Sequence, residues 1–267
     1  MFWNKLKECL LLLLLLIFFG YADEDDDKVD YCNLNGCGRD HIACKNYGDV
    51  GPDCNNDVRF ASLISYRQYI LDVLNELRND IASGEEEPFK SAQRMATMQW
   101  DSDLADLAML RVLKCTRAQD ECFSTKKYIN PGQEAFWYIF EGKDDVDSYD
   151  KGIKKVFKSI VNFQKQFNVQ WVDAMPALQP NPLVGHFALV IRENNAFIGC
   201  AASLFTRDDD VYLMLVCNYA YTNFEGYPVY KTGPKAHMCK TGTNVNYTSL
   251  CSPKEVYDFS AKGRLLQ

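Results

Sequence analysis

Apolar residues recur at helical spacing in three separate stretches of the chain. In the first stretch they lie three, four or seven positions apart, and Gly84 follows where a C-terminal cap belongs. The second stretch, residues 103–114, has an apolar face, with Asp101 or Ser102 as its N-cap. The third covers residues 147–167. The apolar positions of the three stretches are Leu63, Ile64, Ile70, Leu71, Leu74, Leu77 and Ile81; Leu104, Leu107, Ala108, Leu110 and Leu113; Ile153, Val156, Phe157, Ile160 and Phe163. This pattern predicts three amphipathic helices.

The later part of the chain has the composition of strands. Residues 186–192, 197–205 and 211–218 are short runs rich in Val, Ile, Leu and aromatic residues, with turn-prone residues between them. Antiparallel pairing of the last two runs would bring Cys200 and Cys217 together. Helices followed by a strand meander predict an α+β layered domain.

The first 22 residues have the pattern of a signal peptide. Lys5 and Lys7 precede an apolar run over residues 9–19, and Gly20 and Ala22 occupy the small-residue positions of a cleavage site. The run is shorter than the roughly 20 apolar residues that a membrane span requires. The sequence therefore predicts secretion, without a stable membrane anchor.

Cysteine usage agrees with that prediction. Of the 11 cysteines, Cys9 lies in the signal segment, and the other ten suffice for five disulfides in an oxidising compartment. Their connectivity is open at this level. Zinc is the alternative use, but the chain has no C-x-x-C pair, and its histidines, His41, His186 and His237, lie far apart in the sequence.

Charge and composition divide the mature chain into three segments. Residues 23–57 are acidic and cysteine-rich, residues 58–232 form the main domain, and residues 233–267 form a tail with a small loop closed by Cys239 and Cys251. Within that loop, Asn246 begins a glycosylation sequon. The net charge of −7 argues against nucleic acid as a partner.

Four motifs occur in an order that resembles a known family. They are Gly132-Gln133-Glu134; Gly185-His186-Phe187; Cys217-Asn218-Tyr219 with Asn223 and Tyr230 after it; and the leading Cys32, Cys37, Cys44 and Cys54. Together they resemble the CAP superfamily of cysteine-rich secretory proteins, insect antigen 5 and plant pathogenesis-related proteins of class one. The N-terminal cysteine segment is most similar to the antigen 5 branch. The resemblance implies an α-β-α sandwich, with disulfides Cys32–Cys44, Cys37–Cys122, Cys54–Cys115 and Cys200–Cys217, which leaves Cys239 and Cys251 to pair with each other.

The resemblance also implies a cleft in which two histidines and two glutamates hold a divalent metal. In this chain the corresponding positions are Gln119, Gln133, Phe163 and His186, so only one of the four ligands is present. Glu134 is adjacent, but one imidazole and one carboxylate make a poor site. We therefore expect a degenerate cleft with no metal, no cofactor and no catalytic residue.

Other hydrolytic machinery is also missing from the sequence. There is no G-x-S-x-G motif, and the predicted disulfides leave no thiolate nucleophile. The leading hypothesis is a secreted, noncatalytic protein that recognises an unknown extracellular protein or receptor, and the resemblance implies reproductive, salivary or venom secretions as its setting. The alternative is a carrier of a sterol or fatty acid. Channel blockade is disfavoured because the tail has only two cysteines.

Overall fold

The structure, a computed structural model, describes residues 29–34, 36–54, 57–116, 122–140, 146–177, 182–208 and 210–260. The predicted signal segment and Gln119 lie outside the described residues.

A five-stranded sheet forms the centre of the domain. Its strands are β1 (Arg59–Ala61), β2 (Gln99–Trp100), β3 (Gly132–Phe140), β4 (Phe197–Arg207) and β5 (Asp210–Tyr219). The order is β1-β4-β5-β3 with antiparallel pairing, and β2 joins β4 in parallel. Cys200 lies opposite Cys217, as the sequence predicts.

Within the described ranges, four α-helices cover this sheet. They are α1 (Arg67–Ser83), α2 (Ser102–Val112), α3 (Val146–Asn162) and α4 (Pro182–Ile191). Helix α1 ends at Gly84, whose φ of 75° is the left-handed conformation that glycine adopts at low cost. Asp101 caps α2 by accepting a hydrogen bond from the Leu104 N–H. A 3₁₀ turn, Phe163–Gln166, extends α3.

The helices lie on both faces of the sheet. Buried residues of α1, α3 and α4 form one core with the sheet, including Leu74, Phe157, Phe187 and Leu215. Ala108 and Val112 of α2 pack against the other face in a second cluster. The α-β-α sandwich is thus confirmed.

One segment differs from the prediction. Residues 186–192 were predicted as a strand, and this is wrong because His186 to Ile191 belong to helix α4. Phe187, Ala188, Val190 and Ile191 are all fully buried, so the helix shows no polar face and its sequence resembles a buried strand. Strand β3 was not predicted as a strand, although Phe136 to Phe140 is a run of aromatic residues and isoleucine that favours one.

Arg78 connects α1 to the end of α4. Its fully buried guanidinium donates to the backbone carbonyls of Ala96, Val190 and Arg192. Burial lowers the pKa of Arg78 to about 10, which leaves it charged at neutral pH. The side chain therefore satisfies carbonyls at a helix C-terminus, where a cation is favoured.

Two disulfides join the N-terminal segment to the domain, and the other three lie one each within the N-terminal segment, the sheet and the tail. The structure forms the five predicted pairs: Cys32–Cys44, Cys37–Cys122, Cys54–Cys115, Cys200–Cys217 and Cys239–Cys251. Within the described ranges, no helix has the length and apolar character needed to cross a membrane.

Candidate functional site

His186 lies on α4, on the side that faces β3. Its ring is 5.1 Å from the ring of Phe136, in an edge-to-face arrangement. Burial lowers the pKa of His186 to about 4, so the imidazole is neutral at physiological pH. Its buried Nδ1 has no hydrogen-bond partner in the part of the chain that the structure describes.

Glu134 lies on the same face of β3 as Phe136, because side chains two residues apart share a face of a strand. It is 1% exposed, and its Oε2 accepts a hydrogen bond of 3.0 Å from the Tyr219 hydroxyl. Burial raises the pKa of Glu134 well above its ordinary value, and the Tyr219 hydrogen bond offsets only part of this rise. Its Oε1 finds no partner among the described residues.

Gln133 lies on the opposite face of the sheet. Its Nε2 donates to Asn218 Oδ1 at 3.0 Å, and Asn218 Nδ2 donates to the Leu104 carbonyl of α2. Gln133, which occupies the position of the family's first glutamate ligand, therefore faces α2. The neighbouring Glu134 faces the side of the sheet on which His186 lies. The two-residue spacing of Glu134 and Phe136 in the sequence indicates that both side chains lie on one face of a strand and that Gln133 lies on the other.

Phe163 is 8% exposed and lies in the apolar core beneath α3. Of the four positions that the resemblance assigns to the cleft, His186 lies against Phe136 of β3, Phe163 lies in the apolar core, and Gln133 lies on the opposite face of the sheet. The structure does not describe Gln119.

The residues present do not fit a metal site of the kind that the resemblance implies. No group of three or more His, Cys, Asp or Glu side chains within the described ranges is arranged to hold an ion. Burial alone accounts for the low pKa of His186, whereas a nearby carboxylate would raise that pKa. Burial thus shifts both groups towards their neutral forms, the imidazole of His186 and the carboxylic acid of Glu134.

A second candidate site is an apolar patch on the opposite edge of the sheet from β3. Phe60 of β1 is 55% exposed and Ile64 is 73% exposed. Both line a cavity of about 350 Å³ together with Trp100 and Met109. The Arg67 guanidinium lies 5.2 Å from the centre of the Trp100 ring. We refer to Phe60, Ile64, Arg67, Trp100 and Met109 as the edge patch.

Known proteins are similar to this chain in sequence and in fold. The model of the CAP, or cysteine-rich secretory protein, family matches residues 71–219. Venom allergen-1 of Aedes albopictus is 31% identical over 235 residues, which cover 85% of this chain and 89% of that protein. Tabinhibitin 3 of Tabanus yao is 26% identical, covering 85% of this chain and 88% of that relative.

Solved structures have the same fold. BmVAL-1 has a TM-score of 0.57 and 18% identity, covering 72% of this chain and 96% of that one. NaASP2, crystallised with Zn²⁺, has a TM-score of 0.54 and 20% identity, covering 74% of this chain and 100% of that one. The family match, the antigen 5-like relatives and the sandwich agree: the chain belongs to the CAP, or cysteine-rich secretory protein, family.

Proposed function

We propose that this chain is a secreted, noncatalytic protein that acts by binding another extracellular protein. The observation that carries the proposal is the edge patch, which exposes an aromatic and an aliphatic side chain beside an arginine stacked on a tryptophan. Trp and Arg are enriched at the centres of protein interfaces.

Secretion is supported by the cysteines and by the tail. Five disulfides form and persist in an oxidising compartment. Residues 1–22 have the pattern of a signal peptide. Asn246 and Thr248 of the sequon are both exposed, which makes Asn246 accessible for glycosylation.

A noncatalytic role is supported by the cleft. General acid-base catalysis needs a titratable group whose pKa suits the working pH and which can reach the substrate. His186 is held neutral and Glu134 is buried at 1% exposure, with Tyr219 as its hydrogen-bond donor. The ten cysteines of the proposed mature chain are all paired, so none supplies a thiolate.

The test is an array of extracellular insect protein domains probed with the disulfide-intact protein. For a domain that binds, Phe60→Ser with Ile64→Ser should weaken binding by about 30-fold or more, since truncation of a hot-spot residue costs about 2 kcal/mol. Val245→Ser with Val256→Ser is the matched control, because both valines are exposed but lie on the tail. Equal binding by the Phe60/Ile64 variant and the control would contradict the proposal.

Carriage of a small apolar molecule is a second candidate function. A cavity of about 440 Å³ lies between α1 and α3, and Tyr69, Val73 and Val161 form its apolar part. Organic extraction of the secreted protein followed by mass spectrometry tests this role. A carrier should yield lipid in stoichiometric amount, and a Val73→Asp variant should yield much less.

A further inference from the structure

Helix α3 carries a row of lysines along one side. Lys151, Lys154, Lys155 and Lys158 are spaced i, i+3, i+4 and i+7, and all four are exposed. The opposite side of the helix buries apolar residues, including Ile153, Phe157 and Ile160. The helical period therefore concentrates four positive charges in one stripe, which we name the α3 lysine row.

Among the residues that the structure describes, one ion pair involves this row. Lys154 Nζ lies 2.8 Å from the Asp150 carboxylate. Lys155 Nζ lies 4.9 Å from the centre of the Tyr138 ring. Neither Lys151 nor Lys158 forms an ion pair within the described residues. A local positive surface thus stands on a chain whose net charge is −7.

The row borders a groove. The four lysines line the cavity of about 440 Å³ between α1 and α3, together with Tyr69, Val73 and Val161. With a rise of 1.5 Å per residue, Lys151 and Lys158 stand about 10 Å apart along the helix axis. The positive charge therefore follows a narrow line beside a groove.

We propose that the α3 lysine row binds a sulfated polysaccharide of the extracellular matrix or cell surface. A linear polyanion can contact the row without approaching the acidic remainder of the protein, whereas an anionic bilayer would face a broad area of like charge. Ammonium groups bind sulfates as point charges and need no bidentate geometry. Basic clusters of this length also occur in heparin-binding patches. The proposal depends on secretion but not on the edge patch.

The experiment measures binding of the full, disulfide-intact protein to a size-defined heparin oligosaccharide by calorimetry at several salt concentrations. We expect binding that weakens with salt, with a slope of log K against log salt of about −2 to −3 if three or four lysines release counterions. Replacing Lys151, Lys155 and Lys158 by Gln should reduce affinity at low salt by at least about tenfold. Glutamine keeps a high helix propensity, and circular dichroism verifies the fold.

The matched control replaces Lys235, Lys240 and Lys254, three exposed lysines of the tail, by Gln. It removes the same charge and should retain affinity within about twofold, because those charges lie outside the row. Equal loss in both variants would mean that net charge alone is responsible and would overturn the proposal. So would absent binding by the natural protein, which would make the row an ordinary solvated helix face.

Two further ligands test whether an acidic peptide or a fatty acid binds at the row instead of a sulfated polysaccharide. Polyglutamate of equal charge should bind much more weakly than the heparin oligosaccharide, and equal or tighter binding would assign the row to acidic peptides instead. If a fatty acid competes with heparin, and if the Val73→Asp variant no longer binds that fatty acid, the groove would be assigned to the carrier role. Loss of partner binding through the edge patch would leave the heparin result unchanged, so the two proposals fail separately.

Discussion

At the scale of single residues, Glu134 and His186 differ in their hydrogen-bond support. Glu134 has one hydrogen bond, from Tyr219, while His186 has its Nδ1 buried without a partner in the described chain. An unpaired buried polar atom costs about 1–3 kcal/mol. The protein therefore retains at His186 a residue whose local environment does not stabilise its charged form.

His186 should make folding stability depend on pH. Its folded pKa of about 4 lies below the ordinary value of 6.5, so between these values the unfolded chain binds a proton that the folded protein does not. Stability should therefore fall as the pH drops from 6.5 to 4, by up to about 3 kcal/mol from this group. Urea unfolding at pH 7, 5.5 and 4 should show a smaller fall for His186→Phe than for the natural protein.

The control for this prediction is His237→Phe, since His237 is exposed on the tail. Its pH profile should match that of the natural protein. Glu134 is present in all three proteins, so the comparison isolates the effect of each histidine. Parallel profiles for His186→Phe and the natural protein would contradict the buried, neutral imidazole.

At the scale of elements, Asp101 joins the start of α2 to the segment before β3. One of its oxygens accepts from the Leu104 N–H at 3.2 Å, and the other accepts from the Tyr128 hydroxyl at 2.5 Å. Tyr128 is fully buried, and Lys127 Nζ lies 3.3 Å from the same carboxylate. A single side chain thus caps a helix and satisfies a buried phenol.

Asp101→Ala should lower the free energy of unfolding by about 2–3 kcal/mol, because it removes an N-cap and leaves the Tyr128 hydroxyl without its acceptor. Asp101→Asn should lose less, since the amide oxygen can still cap the helix. Asp103→Ala, at an exposed first-turn position of the same helix, should change stability by about 0.5 kcal/mol or less. Chemical denaturation measures all three, and equal losses for Asp101→Ala and Asp103→Ala would refute the dual role.

At the scale of the whole molecule, the tail is held against the domain by a buried carboxylate. Arg94 donates to Glu255 at 2.6 Å, and the Lys240 and Thr241 backbone N–H groups and the Thr241 hydroxyl donate to the same carboxylate. Burial alone would raise the pKa of Glu255, but these hydrogen bonds outweigh it and lower the pKa to about 2. The Cys239–Cys251 disulfide closes a loop within the tail itself.

Glu255→Gln should therefore lower the free energy of unfolding at pH 7 by about 2–3 kcal/mol. The folded pKa lies below the ordinary value of 4.5, so this stabilisation is present above pH 4.5 and is lost as the pH falls towards 2. Thermal unfolding should show the gap between variant and natural protein closing over that range. Glu85→Gln, at an exposed position, is the control and should unfold at the same temperature as the natural protein at every pH. If the stability difference between Glu255→Gln and the natural protein stayed constant at every pH, the Glu255 carboxylate would not be its source.

Much of this protein can be predicted from its sequence. The one-sided periodicity of α1, α2 and α3, the Gly84 cap, an N-cap at Asp101 or Ser102 and the pairing of β4 with β5 all follow from local patterns, since each element is buried on one side or marked by a terminal residue. The order of the motifs was sufficient to identify the CAP family.

Tertiary structure decided the remainder. Helix α4 is buried nearly all round, so no period in its sequence separates it from a strand. Strand β3 places Glu134, and not Gln133, on the side of His186, because only the register against β5 determines which alternate residues face which helix layer. The α3 lysine row is visible in the sequence, but the packing of α3 beside α1 turns it into the rim of a groove. Local patterns record which side of an element is buried, whereas the packing of elements determines what that side meets.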